Sequence, residues 1–223
     1  MKHLFAALTA LALTAACSNA ADTPEAASAF AAENERASAP EAEPEAESRP
    51  TEYALTGQKL PAFTAPVADG GTFDSAALNR WTVIAVWGVW CGDSRTDGPY
   101  TAALDRAIAQ DPDLDFISVH VPSSPGSESR DTPFGKFGSL EAYFESAGYT
   151  LPVVLDTDGS VREALKINWT PSYLLVSPDG IVRSFRTDLS VDKDQPVKTY
   201  IKNVAETRKA VRDLLASEPG DIE

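Results

Sequence analysis

The sequence predicts an α/β chain with a mixed central sheet flanked by helices, and three stretches carry that prediction. Val83-Ile84-Ala85-Val86 is an apolar, β-branched run bounded by Gly88, and apolar residues then recur at Tyr100, Ala103, Leu104, Ala107 and Ile108 with helical spacing. Phe116-Ile117-Ser118-Val119 reads as a second strand, and a helix of about a dozen or more residues between two strands calls for a parallel crossover. Residues 172–176 and 181–185 flank Pro178-Asp179-Gly180, which is a turn signal, so they form an antiparallel hairpin.

The elements follow in order. Leu60-Pro61-Ala62-Phe63 and Gly70-Gly71-Thr72-Phe73 suggest an extended leader pair closed by a Gly-Gly turn, with a helical turn over 74–78. The first core strand is expected over 82–88 and the helix after it from about Ser94 to Ala109, where Pro99 removes one helix hydrogen bond. Residues 122–137 are rich in Pro, Gly and Ser and read as a loop beside the strand ends, placed to contact a partner. Ser139 caps a helix that carries Leu140, Tyr143, Phe144 and Ala147 on one face and ends at Gly148. Residues 151–155 form a short buried strand, and Ser160-Val161-Arg162-Glu163 has capping-box spacing for a helix to about Ile167. Val197, Tyr200, Ile201, Val204, Ala205, Val211, Leu214 and Leu215 recur at helical spacing, so a C-terminal helix is expected to lay this stripe on the sheet.

The organisation of the chain comes from composition. Lys2 and His3 precede a small-apolar run from Leu4 to Ala16, which is a signal-peptide pattern and too short for an ordinary membrane span. Leu13-Thr14-Ala15-Ala16-Cys17 resembles a bacterial lipobox, with Thr14 where leucine is usual, and the resemblance implies a lipid on Cys17. Cleavage near Ala20 or Ala21, releasing the rest of the chain, is the other reading. Residues 18–52 are Ala, Glu, Pro and Ser with one aromatic, Phe30, and cannot bury enough apolar surface to order themselves. That segment holds nine acidic and two basic residues of a chain whose net charge is -14. It reads as a tether with an end-to-end reach of about 30–35 Å. The expected division is therefore 1–17 signal, 18–52 tether, 53–216 folded domain and 217–223 frayed tail. The acidity argues against nucleic acid as a partner.

Cys91 is the only cysteine besides Cys17. It falls where the first core strand hands over to a helix, and the unpaired N–H groups of a helix start favour the thiolate, which is the nucleophile. Trp87-Gly88-Val89-Trp90-Cys91-Gly92-Asp93-Ser94 resembles the Trp-Cys-Gly-Pro-Cys site of the thioredoxin superfamily. Pro99, eight residues on, is similar to the TlpA-like redoxin branch, and Trp169-Thr170-Pro171-Ser172 resembles that family's cis-proline segment. The match covers most of residues 60–187. It implies a thioredoxin-like fold, Cys91 and Ser94 as the catalytic pair of positions, and Trp90, Gly92, Asp93, Thr170 and Pro171 as a substrate-binding surface. Pro171 is then expected cis and opposite Cys91.

The departure is Ser94 in place of the second cysteine. An alcohol cannot resolve a mixed disulfide, so exchange would await an outside thiol, as suits isomerisation, deglutathionylation or holding a client. The implied partners are protein or small-molecule thiols and disulfides, together with a membrane through the Cys17 lipid. No cofactor is implied, and one Cys with His120 cannot make a closed metal site. His120 reads as structural rather than as a base for Cys91. Asp93 repels a nearby thiolate and Arg95 offsets part of that. Ala85 stands where many thioredoxins carry a buried carboxylate. The periplasmic face of a bacterial membrane is the expected location, and Ser18 after Cys17 inclines it toward the outer membrane. Two other classes stay open: a non-catalytic thioredoxin-like binding module, and a peroxiredoxin-like thiol peroxidase, against which counts the missing Pro-x-x-x-Thr-x-x-Cys pattern.

Overall fold

A computed structural model describes residues 49–123 and 133–217. The signal-like segment, Cys17, the tether up to residue 48, residues 124–132 of the Pro/Gly/Ser-rich stretch and the tail from residue 218 lie outside these described residues.

Seven strands and four helices are described. A leader hairpin pairs β1 (Thr64–Pro66) with β2 (Thr72–Asp74), and a 3-10 turn over Ser75–Ala77 follows. The leader strands sit slightly later than the sequence suggests, because Phe63 N–H donates to the Ser75 hydroxyl at 2.8 Å instead of to a strand. The central sheet has the order β5-β4-β3-β6-β7, from β3 (Trp81–Trp87), β4 (Leu114–His120), β5 (Val153–Leu155), β6 (Ser172–Val176) and β7 (Val182–Thr187). β3, β4 and β5 are parallel, while β6 and β7 run antiparallel to their neighbours, so the sheet is mixed as predicted.

Every residue of β3 is buried, which explains why its sequence is apolar at every position but Thr82: a central strand covered on both faces has no solvent side. Ile84 and Val86 pack with Leu174 and Val176 beneath the leader residues Leu55, Leu60 and Phe63 and beneath Val161 and Leu165 of the segment around α3 (Ser160–Ala164). Val83 and Ala85 face the other way, against Leu104 and Ile108 of α1 (Gly92–Ile108) and Tyr200 and Val204 of α4 (Pro196–Ser217). The leader is stitched to both ends of the sheet: Ala68 N–H donates to Val153 at 2.8 Å and Leu60 N–H to Gly180 at 2.8 Å. Helix α2 (Leu140–Ala147) starts as expected, with Ser139 Oγ accepting from Ala142 N–H at 3.1 Å, and ends at Gly148 in the left-handed conformation.

Three local expectations need correction. Ser160 does not cap α3; it is the first helical residue, and the cap position is Gly159 at φ 87°. That turn delivers the Asp156 carboxylate to the helix start, where it accepts from Gly159, Val161 and Arg162 N–H at 3.0, 3.2 and 2.8 Å. The stripe of α4 holds as far as Val211, which packs against the core, and not beyond it. Tyr200 and Val204 are buried, but Ala205 is exposed and Leu214 and Leu215 are 56% and 59% exposed. A helix of 22 residues is about 33 Å long, whereas seven-residue β3 spans about 23 Å, so the last turns overrun the sheet. In α1, Tyr100 is 38% exposed, and the first turns bury Ser94, Asp97 and Thr101 instead.

Two of those polar residues, Asp97 and Thr101, form a closed knot with Tyr173 and the turn after β7. Asp97, 0% exposed, accepts from Tyr173 Oη at 2.8 Å, Leu189 N–H at 2.6 Å and Ser190 N–H at 2.7 Å. Tyr173 Oη also lies 2.6 Å from Thr101 Oγ1. Burial first, and then the Asp97 charge, raise the Tyr173 pKa well above its ordinary value. The knot ties the helix that begins at Cys91 to the strand that begins just after Pro171.

Candidate active site

Cys91 occupies the N-cap position of α1 at φ -83° and ψ 127°, and its backbone closes the turn from Gly88 through Cys91 N–H to Gly88 O at 3.0 Å. Its thiol, partly exposed, lies 3.1 Å from the Thr170 carbonyl oxygen and donates to it. Thr170–Pro171 is a cis peptide, as expected, and the Thr170 carbonyl faces the sulfur. Trp169, next to them, donates its indole N–H to Asp188 at 3.1 Å, and Ser172 Oγ donates to Trp169 O at 2.8 Å. The segment is thus fixed from both sides.

Trp90 covers the strand end. Its indole N–H donates to Val121 O at 2.8 Å, and the Arg162 guanidinium stacks over its ring at 5.5 Å from the centroid. Gly88 makes this possible, because a Cβ there would overlap the Trp90 indole. Gly92 opens the helix, and a Cβ at that position would meet nothing nearer than Arg95 Nη2 at 3.9 Å, so the approach to Cys91 stays open on that side. Asp93, half-buried in the first turn, faces toward Asp188 closely enough that its charge helps to raise the Asp188 pKa, after burial and alongside Asp97. Arg95 folds back and donates to Val89 O at 2.7 Å.

Ser94 is 2% exposed, and its Oγ accepts from Gly88 N–H at 3.3 Å. That bond holds the strand-to-helix turn. The Ser94 hydroxyl is therefore engaged with the backbone, not with Cys91.

His120 is 2% exposed, with Nε2 accepting from Val89 N–H at 3.1 Å and its ring packed edge-on against Trp87. Burial pushes its pKa down to about 4, so at neutral pH it is a neutral acceptor supporting the loop before Cys91. The depressed value fixes the sign of a pH effect. The unfolded chain binds this proton first, so the stabilisation is complete above about pH 6.5 and is lost as pH falls toward 4. At 1.36 kcal/mol per pH unit the loss is about 3 kcal/mol. Urea unfolding of wild-type protein and His120→Gln, which keeps an acceptor for Val89, is expected to show a steeper decline between pH 6.5 and 4 in the wild type; parallel profiles would contradict it.

Four residues of this neighbourhood escape a sequence reading: Arg162, Asp97, Asp156 and Asp188. Asp97 alone leaves a signal, as an acid at a position that shares a helical face with Leu104 and Ile108. Asp188 is 1% exposed, is held at φ 36° and pairs with Arg49 at 2.8 Å. Among the described residues no group of three or more His, Cys, Asp or Glu is placed to hold a metal ion.

Comparison with known proteins agrees with this architecture. The thiol-disulfide oxidoreductase ResA of Bacillus subtilis (strain 168) is 25% identical over 127 residues, which is 56% of this chain and 64% of that protein, so the match spans less than two thirds of the relative. Among solved structures, a candidate protein disulfide isomerase from Bacteroides thetaiotaomicron superposes with a TM-score of 0.54 at 18% identity, covering 72% of this chain and 95% of that one. The thioredoxin domain of a thiol-disulfide oxidoreductase from Bacteroides vulgatus gives 0.50 at 18% identity, covering 67% and 96%. These likenesses show a thioredoxin-like fold. The AhpC/TSA family model matches residues 56–185, the span that holds the leader hairpin, the sheet as far as Phe185, Cys91 and Pro171, and the chain belongs to the AhpC/TSA family.

Proposed function

We propose that this chain is a thiol–disulfide exchange protein working through a single thiol, Cys91, with Ser94 in the place of a resolving cysteine. The observation that carries the reading is the placement of Cys91 Sγ at the start of α1, 3.1 Å from the carbonyl that precedes Pro171. An extended peptide lying along Thr170 would bring its disulfide to that sulfur, with Trp90, Gly92 and Asp93 forming the rest of the surface. The Cys91 thiolate attacks one sulfur of the disulfide, a new S–S bond forms, the old one breaks, and the departing thiolate takes up a proton. A second thiol then attacks the mixed disulfide and returns Cys91 as a thiolate. The name of the ResA relative supports the same chemistry.

The exchange domain, residues 53–216, is held at the periplasmic face of a membrane by a lipid on Cys17, and residues 18–52 set its distance from the surface. The outer membrane is the favoured one. A Cys17→Ala variant is expected to leave the membrane fraction or to remain unprocessed, as cell fractionation would show; normal processing with unchanged membrane association would remove the anchor.

The exchange itself is tested by incubating purified protein with oxidised glutathione and measuring the mass of one added glutathione on Cys91. Absence of any adduct selects the non-catalytic binding module. The family match favours one second reading, peroxide reduction. Gly88 stands where the peroxidatic pattern places threonine, and a thiol consumed by hydrogen peroxide faster than by disulfides would select that chemistry.

A further inference from the structure

We propose that Arg162 is the specificity-determining cation of the Cys91 centre, biasing it toward anionic reagents and hence toward disulfides that carry carboxylates near the reacting sulfurs, such as oxidised glutathione. The preference for disulfides rests on the exchange reading above; the effect of the charge on the sulfur does not.

Arg162 lies on α3, a segment 71 positions after Cys91 in sequence, and reaches the site through three contacts. Its guanidinium carbon stands 5.5 Å from the centroid of Trp90, the residue immediately before Cys91. Nε donates to Ile167 O at 3.0 Å and Nη1 to Pro122 O at 2.9 Å. These partners are an aromatic face and two carbonyls, all neutral, so they orient the cation without cancelling its charge. Among the described residues no carboxylate forms an ion pair with it. Asp156, the nearby acid, directs its oxygens to the backbone N–H groups of Gly159, Val161 and Arg162. Burial lowers the Arg162 pKa, and the charges of Asp156 and then Cys91 oppose that fall, which places the sulfur within the guanidinium's field. With Nε and Nη1 each donating to a carbonyl, the remaining N–H groups of Nη1 and Nη2 are left to meet a carboxylate with a charge-assisted hydrogen bond. Arg95, turned back beside Gly92, adds a positive charge that offsets part of the charge of Asp93 in the same turn, so Arg162 carries the bias.

The net charge of -14 works against this bias, since the whole chain repels anions. A preference for an anionic reagent therefore has to come from local charge, and that makes wild-type protein a test by itself. At an ionic strength of about 0.15 M, where charges are screened beyond about 8 Å, Cys91 is expected to form its mixed disulfide faster with oxidised glutathione than with cystamine, which is dicationic. A cystamine preference overturns the proposal. In Arg162→Gln the ratio of the iodoacetate to the iodoacetamide alkylation rate is expected to fall about three- to five-fold, and Arg162→Lys to recover most of it. Equal ratios in wild type and a folded Arg162→Gln overturn the proposal as well. A purely bracing role for Arg162 would change both alkylation rates together and leave their ratio alone. If neither disulfide reacts, the exchange reading falls while the alkylation ratio still decides the effect of Arg162.

Discussion

A Ser94→Cys variant forms an internal disulfide with Cys91 and reduces insulin with dithiothreitol about ten-fold or more faster than wild-type protein. The expectation follows from where the second thiol would stand. Residue 94 lies three positions along the same helix from Cys91, and one helical turn separates Cα atoms by about 5 to 6 Å, within the range a disulfide spans. A resolving thiol at that distance acts at an effective concentration far above that of a dissolved one. In the wild type each mixed disulfide waits for an encounter with an outside thiol. The substitution gives up the Ser94 acceptor for Gly88 N–H at 3.3 Å, a bond on the weak side of the usual distance, so the turn is expected to survive. The measurements are mass after alkylation, which counts free thiols, and the turbidity lag of the insulin assay. An unbridged variant with wild-type kinetics would falsify the monothiol account of this site.

The second large effect concerns stability. Asp97→Ala removes the acceptor of the buried Leu189 N–H and the half-buried Ser190 N–H and leaves the Tyr173 hydroxyl only Thr101 Oγ1 as a partner. Each buried donor left unpaired costs about 1–3 kcal/mol, with some relief where water enters the space. A total of about 3–5 kcal/mol is expected, a large part of the 5–15 kcal/mol that holds a typical domain folded. The urea midpoint reads this directly. Asp97→Asn should cost less, because its remaining carbonyl oxygen keeps one or two of the three bonds. A loss below about 1 kcal/mol in the alanine variant would mean that the knot relaxes without consequence and that the start of α1 is held by its other contacts.

The knot also marks the boundary of what periodicity reveals. Apolar spacing in α1 points to Tyr100, Ala103, Leu104, Ala107 and Ile108, and the second half of the helix obeys it: Leu104 and Ile108 are buried. Its first half does not, because an aspartate is read from sequence as solvent-facing unless a partner is known. The partners lie 76 and more positions away, on β6 and on the turn after β7. Similar reasoning explains α3. The Ser160-x-x-Glu163 pattern locates the start of the helix, which ends at Ala164 and not near Ile167, and the carboxylate that caps it comes from Asp156, through a glycine turn whose positive φ is a three-dimensional fact.

By itself the sequence determined the order of strands and helices, the mixed sheet, the position of Cys91 at a strand-to-helix junction, and the occupation of the second thiol position by serine. These are local matters: β-branched runs, helical spacing, turn residues and the identity of one side chain are set by neighbours in the chain. Only the tertiary structure decided what surrounds the sulfur. It brought the Thr170 carbonyl to 3.1 Å from Cys91, turned Ser94 inward to Gly88, and laid Arg162 over Trp90. Electrostatic and hydrogen-bonding partners are fixed by proximity in space. For Cys91 those partners, Thr170 and Arg162, sit about 70 to 80 residues downstream, on segments that reach the helix start only because β6 pairs beside β3 and α3 packs on the Ile84 and Val86 face of the sheet.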